Sequence, residues 1–500
     1  MQNKNENLYL GIDIGTQSVK AVVYDAEAKR CIATTAAPLE LYQTSKGVDE
    51  QRTEWWVTAL KQALAEIDRQ VRQQISAVGV SGQQHGFVAL EDSGEVLAPV
   101  KLWCDTSTVA ECEAIMAEFG GSDKCLEEIG NPVLPGYTVS KVRWFKDTHP
   151  DLYDRMSSIL LPHDYINYYL TGEQRMEAGD ASGTGFLDVR SRRWSQKMLR
   201  VVDSARDLGE CLPEVELENA AIGGLSPAIA DELGLPAGIP VSMGGGDNMM
   251  AAIGTGNVEP GIVTMSLGTS GTVYGFSDEA VVDPRGEFAA FCSSTGGWLP
   301  LVCIMNCTIA TELMRGLFRF DLADFEASLA AAKPGAEGLI TVPFFNGERT
   351  PNLPSARACM LGMDSDNIRP ENVLRSAVEG VTFGLRYGLN RLAEEGVKAD
   401  KIVLSGGGAN SPVWRQMVAD ICNAPVLMYR QEEGAAFGAA LQALSITGTG
   451  DLELRALVRE HLDEDPGRSC RPEPVATAFY NEAYEEYQRA AAQVADYYEA

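Results

Sequence analysis

The sequence has only four histidines, His85, His149, His163 and His461, too dispersed for an HExxH motif or a zinc-ligand cluster, so a protein-liganded transition metal is not expected. Its eleven cysteines include no CxxC knuckle; the close pairs are Cys104/Cys112 and Cys303/Cys307, and reduced, mostly buried thiols are the expectation. No GK dipeptide occurs, which excludes a Walker A loop, and no stretch matches GxGxxG. No run approaches the ~18 uninterrupted apolar residues of a membrane-spanning helix. The opening MQNKNENLYLGIDIG lacks a basic region followed by an apolar core, so no export signal is read there, and a soluble, cytoplasmic protein without a membrane partner is expected. Basic side chains are also short: 41 against 70 acidic ones give a formal charge of −29, which disfavours a nucleic-acid partner.

What is present is ordinary globular composition, 45% hydrophobic and 22% charged, in a 500-residue chain long enough for two large domains. The segments LYLGIDIG and VKAVVYD read as strands of a hairpin turning at Gly15-Thr16. GIVTMSLGTSGTVYGF repeats the pattern about half a chain later, turning at Gly268-Thr269. Strand-like SAVGVSG, IPVSMGGG, KIVLSGGG and APVLMY alternate with helical WWVTALKQALAEIDRQV and ENVLRSAVEGVTFGLRYGLNRLAEEG, which predicts α/β layering. The small-residue stretch AAIGTGNVEPG marks a boundary near residues 250–260. After the proline-bearing RSCRPEPV, the residues Tyr480, Tyr484, Tyr487, Ala491, Val494 and Tyr498 recur on one helical face, predicting a packed terminal helix.

An anionic chain that binds an anionic nucleotide needs local donors, and the glycine clusters supply them. In the first hairpin, backbone N–H groups with the hydroxyls of Thr16 and Ser18 suit phosphate oxygens, and Asp13 suits Mg²⁺, directly or through water. An ordinary hairpin with a solvated Asp13 is the alternative reading. A second such turn at Gly268-Thr269 would let two turns clamp a triphosphate. In LSGGGANSPVW, Ser411 is placed to cap a helix whose first turn accepts Pro412, setting a helix N-terminus beside any nucleotide over the glycines. A merely tight strand-to-helix connection is the alternative there. In MGGGDN, Asp247 follows a strand and three glycines; it is a candidate general base, or else an Asx cap. Gln83, Gln84 and His85 end another strand with groups that donate and accept, as sugar hydroxyls require, although a strand-end histidine is also often structural. Trp103 and Asp105 in LWCD add a possible stacking wall and an acceptor.

Taken in order, GIDIGTQSVKAVVYD, GQQHG, LWCD, GYTVSKVRW, LPHDY, DASGT, GGGDN, SLGTSGT, GERTP and GGGANSPVWRQMVADI resemble the FGGY carbohydrate kinases over roughly residues 8–445. The resemblance implies an actin/hexokinase-like (ribonuclease H-like) duplication: two α/β domains hinged around a cleft where Mg-ATP and a sugar meet, closing when both bind. It implies a sugar-binding domain over 8–254, a nucleotide-binding domain over 257–446, and a C-terminal extension with its helix over 447–500. Matched position by position, it gives Asp247 as the base, Asp13 as the metal-linked carboxylate, and Gln84, His85 and Asn248 as sugar contacts. It gives Thr16, Gln17, Ser18, Gly268, Thr269, Gly407, Gly408, Asn410 and Ser411 as nucleotide contacts. GQQHG and GGGDN resemble the xylulose-phosphorylating branch, so the expected reaction converts D-xylulose to its 5-phosphate. Gln84 departs from the methionine of many such kinases. Gluconate, fuculose, ribulose and glycerol stay open as substrates, as do a homodimer and, from another class, an actin-fold ATP-binding interaction module.

Overall fold

The computed structural model describes residues 7–431, 434–448 and 454–499. The chain packs as two units, the first formed by Met1–Val258, Asp278–Leu299 and Gln431–Asp463, the second by Glu259–Ser277, Pro300–Arg430 and Glu464–Ala500.

The first unit is built on strands β1 (Leu8–Ile14), β2 (Ser18–Asp25), β3 (Arg30–Pro38), β4 (Ile75–Gly82), β5 (Ala221–Gly224) and β6 (Pro240–Ser242), in the order β5-β6-β4-β1-β2-β3. β1 runs antiparallel to β2 and parallel to β4, and β6 runs parallel to β4. β1 and β4 are apolar along almost their whole length because both faces of the sheet are covered. One face meets Trp56 and Leu60 of the helix Thr53–Ala65, which join Leu10, Ile12, Val78 and Val80 in a single core. The other face receives the helix Gly434–Ser445, whose backbone comes down onto the strands. A Cβ at Gly11 would lie 1.8 Å from the Ala436 carbonyl oxygen, and one at Gly79 2.0 Å from that of Ala439. These two glycines therefore serve close approach rather than turning. From the same helix, buried Gln442 accepts from Ser242 Oγ (2.7 Å) and Gly244 N (2.8 Å), pinning the chain just ahead of Asp247.

The second unit carries β7 (Gly261–Leu267), β8 (Gly271–Gly275), β9 (Leu301–Ile304), β10 (Ala399–Ser405) and β11 (Val426–Leu427), in the order β9-β8-β7-β10-β11. Helices Pro370–Glu394, Pro412–Cys422 and Pro474–Glu499 pack beside it. The terminal helix buries Tyr480, Tyr484, Tyr487 and Val494. The Tyr480 hydroxyl accepts from Arg375 (2.8 Å) and donates to Glu379 (2.8 Å), so the polar tip of a buried ring is satisfied. None of the eleven cysteines is joined in a disulfide. Among the described residues no helix is long and apolar enough to cross a membrane.

Candidate active site

In the first unit, parallel pairing brings the carboxyl ends of three strands to one edge. Asp13 of β1 stands opposite Ser81 of β4, and Ser81 in turn opposite Gly245 of the short strand Gly245–Gly246. The helix Asp247–Gly254 begins at the next residue. Ligands of open α/β sheets bind outside such carboxyl ends. Ser81 Oγ donates to Asp13 Oδ1 (2.8 Å). Asp247 Oδ1 accepts from the backbone N of Asn248 (2.8 Å) and from its Nδ2 (3.0 Å), and Asn248 Nδ2 also donates to Gln84 Oε1 (2.7 Å). Asp247 keeps part of its surface open. Burial nevertheless pushes its carboxyl up to about 7, and the nearby charges of Asp13 and Asp180 push in the same direction. A carboxylate near 7 suits a general base at neutral pH.

Gln84 is buried, and with Oε1 held by Asn248 its Nε2 has no hydrogen-bond partner among the described residues. A buried donor left without an acceptor is costly, which makes this amide a candidate ligand contact. His85 sits beside it at φ 61°, in the left-handed region that non-glycine residues seldom adopt. Two donors, Lys141 Nζ (2.7 Å) and Thr138 Oγ1 (3.1 Å), grip its carbonyl and hold that conformation. Its ring lies 5.3 Å, centroid to centroid, from both Tyr137 and Phe291, and Nδ1 is 3.0 Å from Asp180 Oδ1. Lys141 is fully buried; desolvation lowers its ammonium to about 7 against the opposing pull of Asp105.

Thr16 Oγ1 donates to Gln83 Oε1 (3.0 Å) and accepts from Trp103 Nε1 (3.0 Å), so the first hairpin turn is strapped to the glutamine-bearing strand end and to the indole. Gln17 is exposed, and the Ser18 carbonyl accepts from Gly15 N (3.0 Å) to close the turn. Asp105 is placed differently from its expected role as a sugar acceptor. It is fully buried, Oδ2 taken by Lys101 Nζ (3.0 Å) and Asp49 N (3.1 Å), Oδ1 by Ser107 N (3.0 Å) and Oγ (2.6 Å). Four donors leave this carboxylate holding its own loop.

The second unit offers neutral donors and bare backbone. The turn at Gly268-Thr269 is fixed from its carbonyl side: Gly268 O accepts from Thr308 N (2.9 Å) and Oγ1 (2.9 Å), and Thr269 O from Cys307 N (3.2 Å). Those residues are anchored by Glu348, which accepts from Met305 N and Asn306 Nδ2 (3.2 Å), and whose burial raises its carboxyl to about 7. At the third glycine cluster, Ser411 Oγ accepts from Trp414 N (3.0 Å) as the N-cap of Pro412–Cys422, with Pro412 in the first turn. A Cβ at Gly408 would strike Trp414 and Leu267, whereas Gly407 has nothing within 4 Å of that position. Asn410 Oδ1 accepts from Arg468 Nη2 (3.2 Å).

The sequence motifs LPHDY, DASGT and GERTP were visible, but the roles of His163, Asp164, Asp180 and Glu348 were not. No local pattern announces that a histidine will lie buried between two carboxylates supplied from separate stretches of chain. Glu177 was also missed: its two oxygens accept from Gly179 N (2.6 Å), Asp180 N (2.6 Å) and Ser294 Oγ (2.9 Å), and burial raises it to about 7.

Comparison with known proteins identifies the family and the fold. A xylulose kinase of Haemophilus influenzae is 42% identical over 487 residues, 96% of this chain and 98% of that protein. A xylulose kinase of Escherichia coli K12 is 33% identical over 444 residues, 87% of this chain and 89% of that protein. The solved structure of a "xyloylose kinase" from Brucella ovis superposes with a TM-score of 0.90 at 29% identity, covering 97% of this chain and 99% of that one. The two-unit architecture is thus the actin/hexokinase-like fold of these kinases. The model of the N-terminal domain of the FGGY family of carbohydrate kinases matches residues 8–254 and that of its C-terminal domain residues 263–446, and the chain belongs to that family.

Proposed function

We propose that this carbohydrate kinase transfers the γ-phosphoryl group of ATP to the primary hydroxyl of D-xylulose, giving D-xylulose 5-phosphate and ADP. The observation that carries the reading is the connected set Asp247, Asn248 and Gln84: a carboxylate raised to about 7, tied through an amide to a buried N–H that awaits an acceptor. The xylulose kinases among its relatives supply the substrate class. Gln84 and His85 orient the sugar. Asp247 takes the proton of its hydroxyl as that oxygen bonds to the γ-phosphorus and the bond from phosphorus to the ADP oxygen breaks.

On the nucleotide side, Thr16, Gln17 and Ser18 of the first turn, and Gly268, Thr269, Gly407 and Gly408 of the second unit, present backbone and hydroxyl donors to phosphate. Ser411 and Asn410 act at one remove, by fixing the helix cap and its loop. Mg²⁺ takes one or two protein carboxylates and fills its remaining positions with phosphate and water. Asp13, partly exposed at a strand end, fits that demand, while no group of three or more His, Cys, Asp or Glu able to hold a metal occurs among the described residues. The ion would neutralise charge developing on the phosphates. Eleven cysteines with no disulfide among them suit a reducing, cytoplasmic setting.

A coupled ADP-release screen over D-xylulose, L-xylulose, ribulose, gluconate, fuculose and glycerol tests the assignment. D-xylulose is expected to give the highest kcat/KM. A higher value for any other member reassigns the substrate, and ATP consumption indifferent to all of them points to an ATP-switched interaction module instead.

A further inference from the structure

Behind His85 lies an array of charges that phosphoryl transfer does not itself call for. His163, in the first turn of the helix Pro162–Thr171, is fully buried. Its Nε2 is 2.9 Å from Asp164 Oδ1 and its Nδ1 3.4 Å from Asp180 Oδ2. The other oxygen of Asp164 accepts from Leu161 N (3.0 Å). The other oxygen of Asp180 lies 3.0 Å from His85 Nδ1. The sequence Asp164, His163, Asp180, His85 is thus a continuous row of alternating acid and imidazole, and each member is at least nine-tenths buried. Glu177, also buried, faces the same row. Among the described residues, no lysine or arginine forms an ion pair with Asp164 or Asp180.

Buried charges persist only when paired. A neutral His163 would leave Asp164 without a counter-charge and Asp180 with only the more distant field of Lys141, and one ring nitrogen would turn a lone pair toward an anionic oxygen. A doubly protonated ring compensates both. The same reasoning applies at the next link: Asp180 Oδ1 accepts from the backbone N of His85 (3.3 Å) and lies 3.0 Å from its Nδ1, and an ionised oxygen so close favours the Nδ1–H tautomer when the ring is neutral, which makes Nε2 an acceptor.

We propose that His163 is a positioning residue, an imidazolium held between Asp164 and Asp180, which keeps Asp180 ionised and thereby fixes the ring orientation and tautomer of His85 for sugar binding. For His163 the direction of the equilibrium agrees: burial opposes a charge on the ring, but Asp164 and Asp180 outweigh it and hold the ring well above the ordinary imidazole range, while Asp164 is itself raised by burial against the pull of His163. Asp180 is likewise pushed up by burial, yet its contacts with His163 and His85 bring it down to about 2. The proposal rests on His85 being a sugar contact, as argued above.

With four histidines in the chain, ¹⁵N-imidazole spectra of the intact protein are tractable, and His163→Gln and His85→Ala assign the two rings. His163 is expected to show two protonated nitrogens at pH 7, and His85 a protonated Nδ1. His163→Gln should raise KM for the sugar roughly tenfold while leaving KM for ATP unchanged. A bare nitrogen on His163 in the unmodified protein at pH 7 overturns the proposal whatever the variants do. So does an equal rise in both KM values, which would mark a merely structural residue. If His85→Ala leaves the sugar KM unchanged while the spectra are as expected, the array stands as described and the assignment of His85 to the sugar fails instead.

Discussion

The two units contain the same five strands in the same order, and they differ most at a single position. In the first, β3-β2-β1-β4-β6 has β1 antiparallel to β2 and parallel to β4; in the second, β9-β8-β7-β10-β11 has β7 antiparallel to β8 and parallel to β10. The turns Gly15-Thr16-Gln17-Ser18 and Gly268-Thr269-Ser270-Gly271 occupy equivalent places. One residue before the last of each leading strand, Asp13 is in register with Ser81, and Ser266 with Ser405. The duplicated frame therefore carries a carboxylate in one copy and a hydroxyl in the other. In the first unit that charge acts on a second one, because Asp13 helps raise Asp247. The second unit has a hydroxyl at the matching position and fixes its turn through carbonyl contacts from Cys307 and Thr308, with Glu348 holding the neighbouring Met305 and Asn306. On the proposed function, one frame thus serves acid chemistry in one copy and backbone and hydroxyl donation in the other.

The largest expected effect comes from removing the base that only the first unit has. Asp247→Asn should lower kcat about 10²–10⁴-fold with sugar and ATP binding retained, since the amide keeps the size and the contact with Asn248 but not the basicity. Turnover within a few-fold of the parent, measured by ADP release, would make Asp247 an Asx cap.

Next comes the paired position. Asp13→Ala should raise the Mg²⁺ concentration needed for half-maximal rate roughly 10- to 100-fold, whereas Ser266→Ala, which removes a hydroxyl and no charge, should leave the Mg²⁺ titration unchanged. Equal Mg²⁺ titrations for the two variants would erase the distinction between the copies.

A smaller effect separates structural glycines from ligand-facing ones. Gly11→Ala drives a methyl into the Ala436 carbonyl, 1.8 Å away, and should cost about 1–3 kcal/mol or more of stability, read as a lower Tm. Gly407→Ala meets nothing within 4 Å and should leave Tm nearly unchanged while weakening ATP. A shared loss of Tm would show that Gly407 is also a packing position.

Much of this was legible in the sequence. Runs such as LYLGIDIG and GIVTMSL announce buried strands, and the repeated Gly-Thr turn announces the duplication, because strand burial and turning are local properties. Asp13, Gln84, His85 and Asp247 stood at strand ends that pairing then aligned. What escaped depends on how side chains meet once the chain has folded, whether they are neighbours in the sequence or far apart. Gly11 resembles a turn residue until the helix at 434–445 is laid across it. Asp105 looks like a free acceptor until Lys101, Ser107 and Asp49 fold around it. The left-handed His85 is held by Lys141, 56 residues on, and its ring faces Asp180, 95 residues on.

The claim that the first unit supplies the base is tested most directly by the pH dependence of kcat/KM for D-xylulose at saturating Mg-ATP. On the proposed role Asp247 acts deprotonated, and burial, the first cause of its raised carboxyl, persists when Mg²⁺ held by Asp13 offsets that neighbour's charge, so the rate should fall through a single ionisation lying above the ordinary carboxylate range and level off at higher pH. A profile that is flat from about pH 5 to 8, as an unshifted carboxylate with an ordinary pKa of about 4 would give, would contradict the account.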